Sequence, residues 1–221
     1  EEGVRRGKGE LYDYLAKNEG VAFIREEDET LRAMAEEREN LRVEGYSEEE
    51  AEGIAHQLEG NYNRYNVAAA AAIGRYFCVE EEAIRQAIID YHPDNNRSQR
   101  EERATNTLIV DCYNANPSSM EAALDNIATM EAEHKVLILG DMLELGEWSE
   151  EAHRTILRKA DGIAEHIILV GGEFAKAFVA VGEELSAEYA LYPTTAEALV
   201  ALNKEPISGA LILLKGSRGI A

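Results

Sequence analysis

The chain has 221 residues, of which 45% are apolar, enough for a packed core in one large domain or two small ones. Lysine and arginine together number 22 and aspartate and glutamate 43, so the formal net charge is −21. Such an acidic surface repels nucleic acids and anionic lipids, which argues against both as partners. The sequence has no apolar run long enough to span a membrane and only two cysteines, Cys78 and Cys112. We therefore expect a cytoplasmic protein with reduced thiols, and we expect a monomer.

The first part of the chain alternates helical and strand-like segments. Leu11, Tyr14 and Leu15 recur at helical spacing, which predicts a first helix. A buried strand is predicted at residues 21–24 and a second helix at residues 29–39. An acidic stretch with few β-branched residues follows at 44–59 and is interpreted as a linker.

Two packed helices are predicted next. Asn66 is a candidate N-cap for a helix that contains the alanine run 68–72. Gly74 permits either a close helix contact or a break, and a second helix is predicted at 80–89. The polar, charged stretch 94–103 has the composition of a hinge between domains.

From residue 104 onward, strands and helices alternate regularly. Strands are predicted at 108–110, 135–139, 167–170, 189–191 and 210–214, and helices at 118–133, 150–160, 174–182 and 195–203. This order predicts an α/β fold, with a Rossmann-like, mainly parallel sheet in residues 104–221. The phosphate-binding fingerprint GxGxxG of dinucleotide-binding proteins is absent from the sequence.

Polar loops follow four of the predicted strands. They read DCYNANPSS, GDMLELG, GGEF and KGSRG. Since the carboxyl ends of parallel strands meet at one edge of a sheet, these loops are predicted to form a site for a polar, anionic ligand. Each loop taken alone is better explained as a simple turn, and only the four loops together favour a site. The amides of GNYNRYN match the edge of adenine, although a helix cap accounts for them as well.

Five segments together resemble the Mur ligase family. They are GNYNRYNVAAAAAIG, YHPDNNRSQ, LIVDCYNANPSSMEAAL, KVLILGDMLELG and LLKGSRGI, and they occur in the family's order. The resemblance implies an ATP-dependent amide ligase of peptidoglycan precursor synthesis, a pathway on which cell shape and cell division depend. Within the family, the sequence is most similar to the member that joins D-Ala-D-Ala to UDP-MurNAc-tripeptide through an acyl phosphate. The implied cofactors are ATP and Mg²⁺, and residues 1–103 would be the tail of a central ATPase domain.

The resemblance also implies roles for single residues toward ATP and Mg²⁺. Lys8 stands where the family has a carbamylated lysine, which would be a catalytic residue and a ligand of Mg²⁺. Asn63 and Asn66 match asparagines that contact adenine, and Tyr62 replaces a histidine that is usual there. Two further positions near the ribose and phosphates are matched by Arg97 and Asp111.

A second set of residues matches positions that bind substrate. It comprises Tyr113, Asn114, Asn116, Lys215, Ser217 and Arg218. The first three would line a cleft between domains, and the last three would help hold substrate carboxylates. The planar guanidinium of Arg218 is suited to a bidentate contact.

The sequence departs from the family pattern in two ways. It has neither the N-terminal domain that binds the UDP-sugar nor a phosphate loop GxxxxGK[ST]. We therefore expect the 221 residues alone to bind nucleotide weakly and to be inactive. Two alternatives remain open: a non-catalytic Mur-like binding module, and a sister ligase that adds another amino acid. The ligase hypothesis requires Asp111, Asn114, Lys215 and Arg218 to lie along a single sheet edge.

Overall fold

The computed structural model describes residues 2–220, which form two compact units. The first unit contains residues 2–57 and 62–91, and the second contains 58–61 and 92–220. Residues 92–103 therefore group with the second unit. The division into domains 1–103 and 104–221 stays a prediction. The ends of the two predicted domains, residues 1 and 221, lie outside the described part. Across residues 2–220, no helix has the length and apolar character that crossing a bilayer requires.

The first unit is built around a parallel strand pair. Its elements are α1 (Glu2–Lys17), β1 (Val21–Arg25), α2 (Glu29–Glu36), β2 (Arg42–Tyr46), α3 (Asn63–Tyr76) and α4 (Glu81–Asp90). Val21 lies opposite Arg42, and the pairing continues to Arg25 and Tyr46. Ala22 and Ile24 of β1 are buried together with Tyr12 and Met34, which gives this unit a small core of its own.

Two local expectations in this unit are corrected by the structure. The predicted linker contains the end of β2 and a 3-10 turn at Glu48–Ala51. Strand β2 was not predicted because most of its side chains are exposed and show no apolar alternation. Asn66 does not cap a helix, because α3 begins three residues earlier with Tyr62 at the N-cap. The first predicted helix is confirmed as α1, in which Tyr12 is buried while Leu11 and Tyr14 are exposed.

Gly74 marks the close approach of α3 and α4. A Cβ atom at Gly74 would lie 2.8 Å from Cγ1 of Ile84 on α4. Of the two roles predicted for this glycine, a close helix contact and a break, the structure confirms the contact.

The second unit is a six-stranded sheet with four helices. Its strands are β3 (Gln99–Glu102), β4 (Thr107–Asp111), β5 (Lys135–Gly140), β6 (His166–Val170), β7 (Glu188–Tyr192) and β8 (Leu211–Lys215). Its helices are α5 (Pro117–Thr129), α6 (Ser149–Asp161), α7 (Gly172–Val181) and α8 (Thr195–Lys204). The strand order is β3-β4-β8-β5-β6-β7, with β3 antiparallel to β4 and the other pairs parallel. The predicted α/β fold with a mainly parallel sheet is therefore confirmed.

Helices cover this sheet unequally. The chain moves in one direction from β4 to β5, β6 and β7, and right-handed crossovers then place α5, α6 and α7 on the same face. Residues such as Leu124, Ile156 and Phe174 from these helices are fully buried against Leu137 and Leu169 of the strands. The return from β7 to β8 reverses direction, and α8 packs on the opposite face. This reversal brings the ends of β4, β8 and β5 side by side.

Candidate functional site

The candidate site lies in the loops that follow β4, β5 and β8, which we call the carboxyl-edge loops. They comprise residues 112–116, 141–146 and 216–219. Strand β8 lies between β4 and β5 although it is the last strand in the chain. In open α/β sheets, such a reversal of strand order leaves a crevice at the carboxyl ends of the strands, where ligands bind. Topology therefore identifies the same edge that the polar loop sequences indicated.

A buried ion pair joins the ends of β4 and β8. Asp111 and Lys215 are register partners, and the Lys215 Nζ lies 2.6 Å from Asp111 Oδ2. The ammonium also donates to the backbone oxygen of Asn114 at 3.2 Å. The Lys215 side chain is 1% exposed and that of Asp111 is 15% exposed. Lys215 therefore fixes the conformation of the first carboxyl-edge loop, residues 112–116, through buried bonds to Asp111 and Asn114.

Ser217 connects all three carboxyl-edge loops. Its backbone N–H donates to the backbone oxygen of Asp141 at 3.2 Å. Its hydroxyl accepts from the backbone N–H of Leu143 at 3.1 Å and donates to the backbone oxygen of Ala115 at 3.4 Å. Since Ser217 is buried, these bonds hold the three loops in one fixed arrangement.

The loop after β5 is itself anchored to two helices. The buried carboxylate of Asp141 accepts from the backbone N–H groups of Glu173 and Phe174, at 2.9 and 2.8 Å, in the first turn of α7. His153 on α6 is fully buried and lies with Nδ1 2.7 Å from the backbone oxygen of Ser149. That bond places the proton on Nδ1, so Nε2 accepts from the backbone N–H of Met142 at 3.0 Å.

The role of Asp141 was missed by the sequence analysis. It directly follows the last residue of β5, much as Asp111 ends β4, and this similarity was the available signal. Gly171 contacts the same carboxylate and has a φ of +119°. A Cβ atom there would lie 2.3 Å from Asp141 Oδ2, which explains why a glycine stands at this position.

An arginine–tyrosine–arginine cluster occupies the exposed side of the carboxyl-edge loops. The Cζ atom of Arg97 lies 3.6 Å from the centroid of the Tyr113 ring, and that of Arg218 lies 4.2 Å from it. Hydrogen bonds from Arg97 and Arg218 lower the pKa of the Tyr113 phenol below its ordinary value of 10.0. Among residues 2–220, neither arginine is ion-paired with a carboxylate. All three side chains are exposed, so this cluster presents positive charge to solvent.

The two asparagines of the first loop shape its backbone. Asn114 Oδ1 accepts from the N–H of Ala115 at 2.9 Å, and the side chain is exposed. Asn116 is the N-cap of α5 and accepts from the N–H of Ser119 at 2.9 Å in a capping box. The amide of Asn116 is therefore engaged in starting the helix.

The remaining predicted site residues belong to the first unit. Lys8 lies on an exposed part of α1 and lines an open groove of about 990 Å³ together with Arg5, Met34 and Arg38. On α3, the Asn66 amide donates to Asn63 Oδ1 at 2.7 Å, with Asn63 buried and Asn66 exposed. These two asparagines form one amide pair at the start of α3.

Comparison with known proteins agrees with the fold and the loop sequences. The family described as "Mur ligase, glutamate ligase domain" matches residues 96–218, more than half of the chain. This chain belongs to the Mur ligase family. A curated relative, the UDP-N-acetylmuramoyl-tripeptide--D-alanyl-D-alanine ligase of Treponema pallidum, is 36% identical over 166 residues, covering 74% of this chain and 36% of the relative.

Solved structures of Mur ligases have the same fold. Crystal structure II of MurF from Acinetobacter baumannii matches with a TM-score of 0.79 and 26% identity, covering 99% of this chain and 53% of that chain. The MurF ligase of Thermotoga maritima in complex with ADP matches with a TM-score of 0.70 and 16% identity, covering 91% and 51%. The chain thus spans about a third of the curated relative and about half of each solved one.

Mur ligases are ATP-dependent, and the implied Mg²⁺ can be tested against the residues of this chain. Among residues 2–220, no group of three or more histidine, cysteine, aspartate or glutamate side chains is arranged to hold a metal ion. Mg²⁺ is usually bound through one or two carboxylates together with water and substrate phosphates, so carbamylated Lys8 would supply one ligand of the kind it takes. The role of Lys8 toward Mg²⁺ stays a prediction.

For the Mur ligase site, the structure brings most of the predicted residues of the second unit together. Lys215 contacts both Asp111 and Asn114, while Arg218 and Arg97 both stack on Tyr113. Asp111, Asn114, Lys215 and Arg218 thus lie along one sheet edge, as the ligase hypothesis requires. The roles of these residues toward a ligand stay predictions, as do those of Lys8, Asn63 and Asn66.

Proposed function

We propose that this chain is the carboxyl-terminal part of an ATP-dependent ligase that joins D-Ala-D-Ala to UDP-MurNAc-tripeptide in peptidoglycan precursor synthesis. The observation that carries the proposal is the arrangement of the three carboxyl-edge loops, which Ser217 ties together and which expose Arg97 and Arg218 beside Tyr113. The name of the Treponema pallidum relative states this reaction for that protein, which supports the same substrates here.

The chemistry of the reaction explains why such a site needs cations. A carboxylate is a poor electrophile, so ATP first phosphorylates the terminal carboxylate of the tripeptide and ADP leaves. The free amine of D-Ala-D-Ala then attacks the acyl carbon, the C–O bond to phosphate breaks, and the amine loses a proton as the amide forms. ATP and the UDP-MurNAc-tripeptide are anionic, D-Ala-D-Ala carries a carboxylate, and the protein has a net charge of −21. Exposed guanidinium groups offset that repulsion where the substrates meet.

The residues of the second unit are assigned two different roles, according to whether their side chains are exposed or buried. Arg218 is exposed and is our candidate for a direct, bidentate contact with a substrate carboxylate. Lys215 and Ser217 are buried and bonded within the protein, and we assign them to holding the loops in place. Asn116 serves the same purpose by starting α5.

Candidate nucleotide contacts are proposed for each unit by itself. In the first, the exposed amide of Asn66, paired with Asn63, offers a donor and an acceptor side by side, which suits the edge of adenine. In the second, Arg97 and Asp111 are assigned to the ribose and phosphates. Lys8, if carbamylated, would contribute to Mg²⁺ binding together with groups outside the described residues.

The decisive experiment uses the complete protein that contains these 221 residues. It is incubated with ATP, Mg²⁺, UDP-MurNAc-tripeptide and D-Ala-D-Ala, and phosphate release is measured while each component is omitted in turn. We expect release only when all four are present. Phosphate release that does not depend on D-Ala-D-Ala would contradict the assignment.

Two variations of the same assay separate the alternatives. A sister ligase would release phosphate with another amino acid in place of D-Ala-D-Ala. A non-catalytic binding module would retain the tripeptide substrate, as measured by calorimetry, and release no phosphate under any combination. We also expect the isolated 221-residue chain to show no turnover, because it contains no GxxxxGK[ST] segment.

A further inference from the structure

In the cluster of Arg97, Tyr113 and Arg218, two arginine side chains stack on one tyrosine ring. The ligase reaction by itself does not explain this arrangement. The two arginines are more than 100 residues apart in sequence, yet both guanidinium groups lie within 4.2 Å of the centroid of one aromatic ring. Tyr113 itself is 38% exposed, so its ring is not held there by burial in the core. The ring instead acts as a common surface for two cations.

The backbone on either side of Arg97 is fixed to the first carboxyl-edge loop. The N–H of Tyr113 donates to the backbone oxygen of Asn96 at 3.2 Å, and the N–H of Ser98 donates to Asp111 Oδ1 at 3.4 Å. Asn96 and Ser98 both have positive φ angles, of 57° and 48°. Asparagine adopts this conformation readily, but serine does so mainly when surrounding contacts enforce it, so the backbone that follows Arg97 is fixed at Ser98.

Arg218 has an equally fixed starting point. It follows Ser217, whose three hydrogen bonds join the carboxyl-edge loops. Both arginines therefore extend from anchored backbone, but each side chain is long and would move among many rotamers in water. Stacking on the Tyr113 ring restricts both side chains and keeps two positive charges near each other in spite of their repulsion.

We infer that Tyr113 is a positioning residue that holds Arg97 and Arg218 as a preorganised pair for one oxyanion, a carboxylate or a phosphate. Two planar guanidinium groups present several N–H donors, which matches the oxygens of either group. The inference deepens the proposed function, because the acyl acceptor D-Ala-D-Ala carries a carboxylate and the acyl donor passes through an acyl phosphate. Its physical content is that the face of the aromatic ring contributes most to holding the pair, and that the phenol oxygen, which also accepts hydrogen bonds from both arginines, contributes less.

The test is made on the full 221-residue chain and needs no turnover. Binding of D-Ala-D-Ala and of inorganic phosphate is followed by NMR through the Nε–Hε signals of Arg97 and Arg218, with D-alanyl-D-alaninamide as a ligand that lacks the carboxylate. Binding of D-Ala-D-Ala alone identifies the dipeptide as the source of the oxyanion, and binding of phosphate alone identifies the phosphoryl group. Binding of neither ligand, or equal binding of the amide, would overturn the inference.

Two substitutions separate the ring from the hydroxyl. Tyr113→Phe keeps the stacking surface and should bind the anion within about twofold of the parent, with the ring-current shifts of both arginines retained. Tyr113→Leu removes the ring and should weaken binding about tenfold, while both Nε–Hε signals move toward those of a mobile arginine. Tyr91→Leu, at an exposed tyrosine outside the site, is the matched control and should change neither measurement.

Each outcome bears on the inference. If Tyr113→Leu binds as tightly as the parent, or if Tyr113→Phe loses as much affinity as Tyr113→Leu, the positioning role of the ring is wrong. Circular dichroism of each variant verifies that the fold is intact. Because the readout is anion binding by this chain, a negative result here is distinguishable from a failure of the ligase assay on the complete protein.

Discussion

Polar networks lie at both ends of the strands of the six-stranded sheet: at their amino ends, which we call the amino edge, and at their carboxyl ends, the carboxyl edge. At the amino edge, Asp161 accepts hydrogen bonds from the backbone N–H groups of Ser186 and Ala187 and from the Tyr189 hydroxyl, the last at 3.0 Å. At the carboxyl edge, Asp111 pairs with buried Lys215, while Arg97 and Arg218 remain exposed beside Tyr113. The amino-edge network joins protein groups to one another, whereas the carboxyl-edge network ends in two cations that face solvent.

This difference shows how to tell a structural polar cluster from a candidate site. Asn106 at the amino edge donates to the backbone oxygen of Ile207 and accepts from the N–H of Ala210, and both partners are backbone groups that lead into β8. These bonds hold the segment before β8 in place and use both polar groups of the Asn106 amide within the protein. At the carboxyl edge, buried bonds support exposed donors, which is the organisation expected of a preorganised binding site.

The largest effect is expected from Lys215→Met. Removal of the ammonium leaves the Asp111 carboxylate without its buried partner, and we expect the free energy of unfolding of the second unit to fall by about 3–5 kcal/mol, measured by urea unfolding. The double variant Asp111→Leu/Lys215→Met should recover most of that loss, because no unpaired charge then remains.

The matched control for this substitution is Lys159→Met. Lys159 Nζ lies 2.6 Å from Asp125 Oδ1, but the two side chains are 31% and 67% exposed. We expect a loss of less than about 1 kcal/mol. Equal losses for Lys159→Met and Lys215→Met would refute the structural importance of the carboxyl-edge pair.

A smaller effect is expected at the amino edge from Asp161→Ala. The substitution leaves several partly buried donors without an acceptor and should lower the free energy of unfolding by about 2 kcal/mol. Anion binding at the carboxyl edge should be unchanged. A loss of anion binding would mean that the amino-edge network affects the carboxyl-edge site, so that the two networks are not independent.

The pH dependence at Asp161 has a definite sign. Partial burial would raise the pKa of its carboxyl group, but hydrogen bonds from Ala187, Ser186 and Tyr189 outweigh burial and hold the pKa below 3.8. The stabilisation is therefore present above pH 3.8 and is lost as the pH falls through the lowered pKa. In acid unfolding, Asp161→Ala should abolish that part of the pH dependence.

Much of the second unit could be predicted from sequence because its strands are apolar and its helices are regularly spaced. Residues 167–170 are buried on both faces and form a continuous apolar run, which is the pattern of a central parallel strand. The edge strand β3 could not be recognised, because Gln99–Glu102 consists entirely of polar and charged residues. The other edge strand, β7, buries none of its residues, but its apolar residues 189–191 were predicted. Side-chain polarity therefore decides which edge strands can be recognised in the sequence.

The candidate site was predictable at the level of loops but not of contacts. The position of Asp111 and KGSRG at strand ends pointed to one edge, which the structure confirms. Sequence gave no means of knowing that Lys215 is buried or that two arginines converge on Tyr113, because both depend on the strand order that places β8 beside β4. The anchoring by His153 was equally hidden, since its partner is a backbone N–H.

A modest effect is expected from Ser217→Ala at the carboxyl edge. Loss of the hydroxyl leaves the N–H of Leu143 without its acceptor and should lower the free energy of unfolding by about 1 kcal/mol. It should also make the backbone next to Arg218 more mobile. We therefore expect weaker anion binding even under conditions in which the variant is fully folded. Ser208→Ala, at an exposed serine in the loop before β8, is the control and should leave anion binding unchanged.

The smallest effect, and the finest test of the comparison, is the ionisation of one tyrosine at each edge. Tyr113 has a pKa lowered below 10.0 by hydrogen bonds from Arg97 and Arg218, whereas burial and the hydrogen bond to Asp161 raise the pKa of Tyr189 well above 10.0. Tyrosinate absorbance, assigned with Tyr113→Phe and Tyr189→Phe, should show these opposite shifts. Arg218→Ala should return the pKa of Tyr113 toward 10.0, and Asp161→Ala should lower that of Tyr189.

The two shifts affect stability in opposite directions. The contribution of Tyr189 is fully present below pH 10.0 and is lost as the pH rises through its raised pKa, whereas that of Tyr113 grows as the pH rises through its lowered pKa toward 10.0. The change at Tyr113 should be slight, since the ring is exposed and solvent screens its charge. If both tyrosines titrate together near 10.0, neither the closed network at the amino edge nor the cationic cluster at the carboxyl edge has the electrostatic character assigned to it.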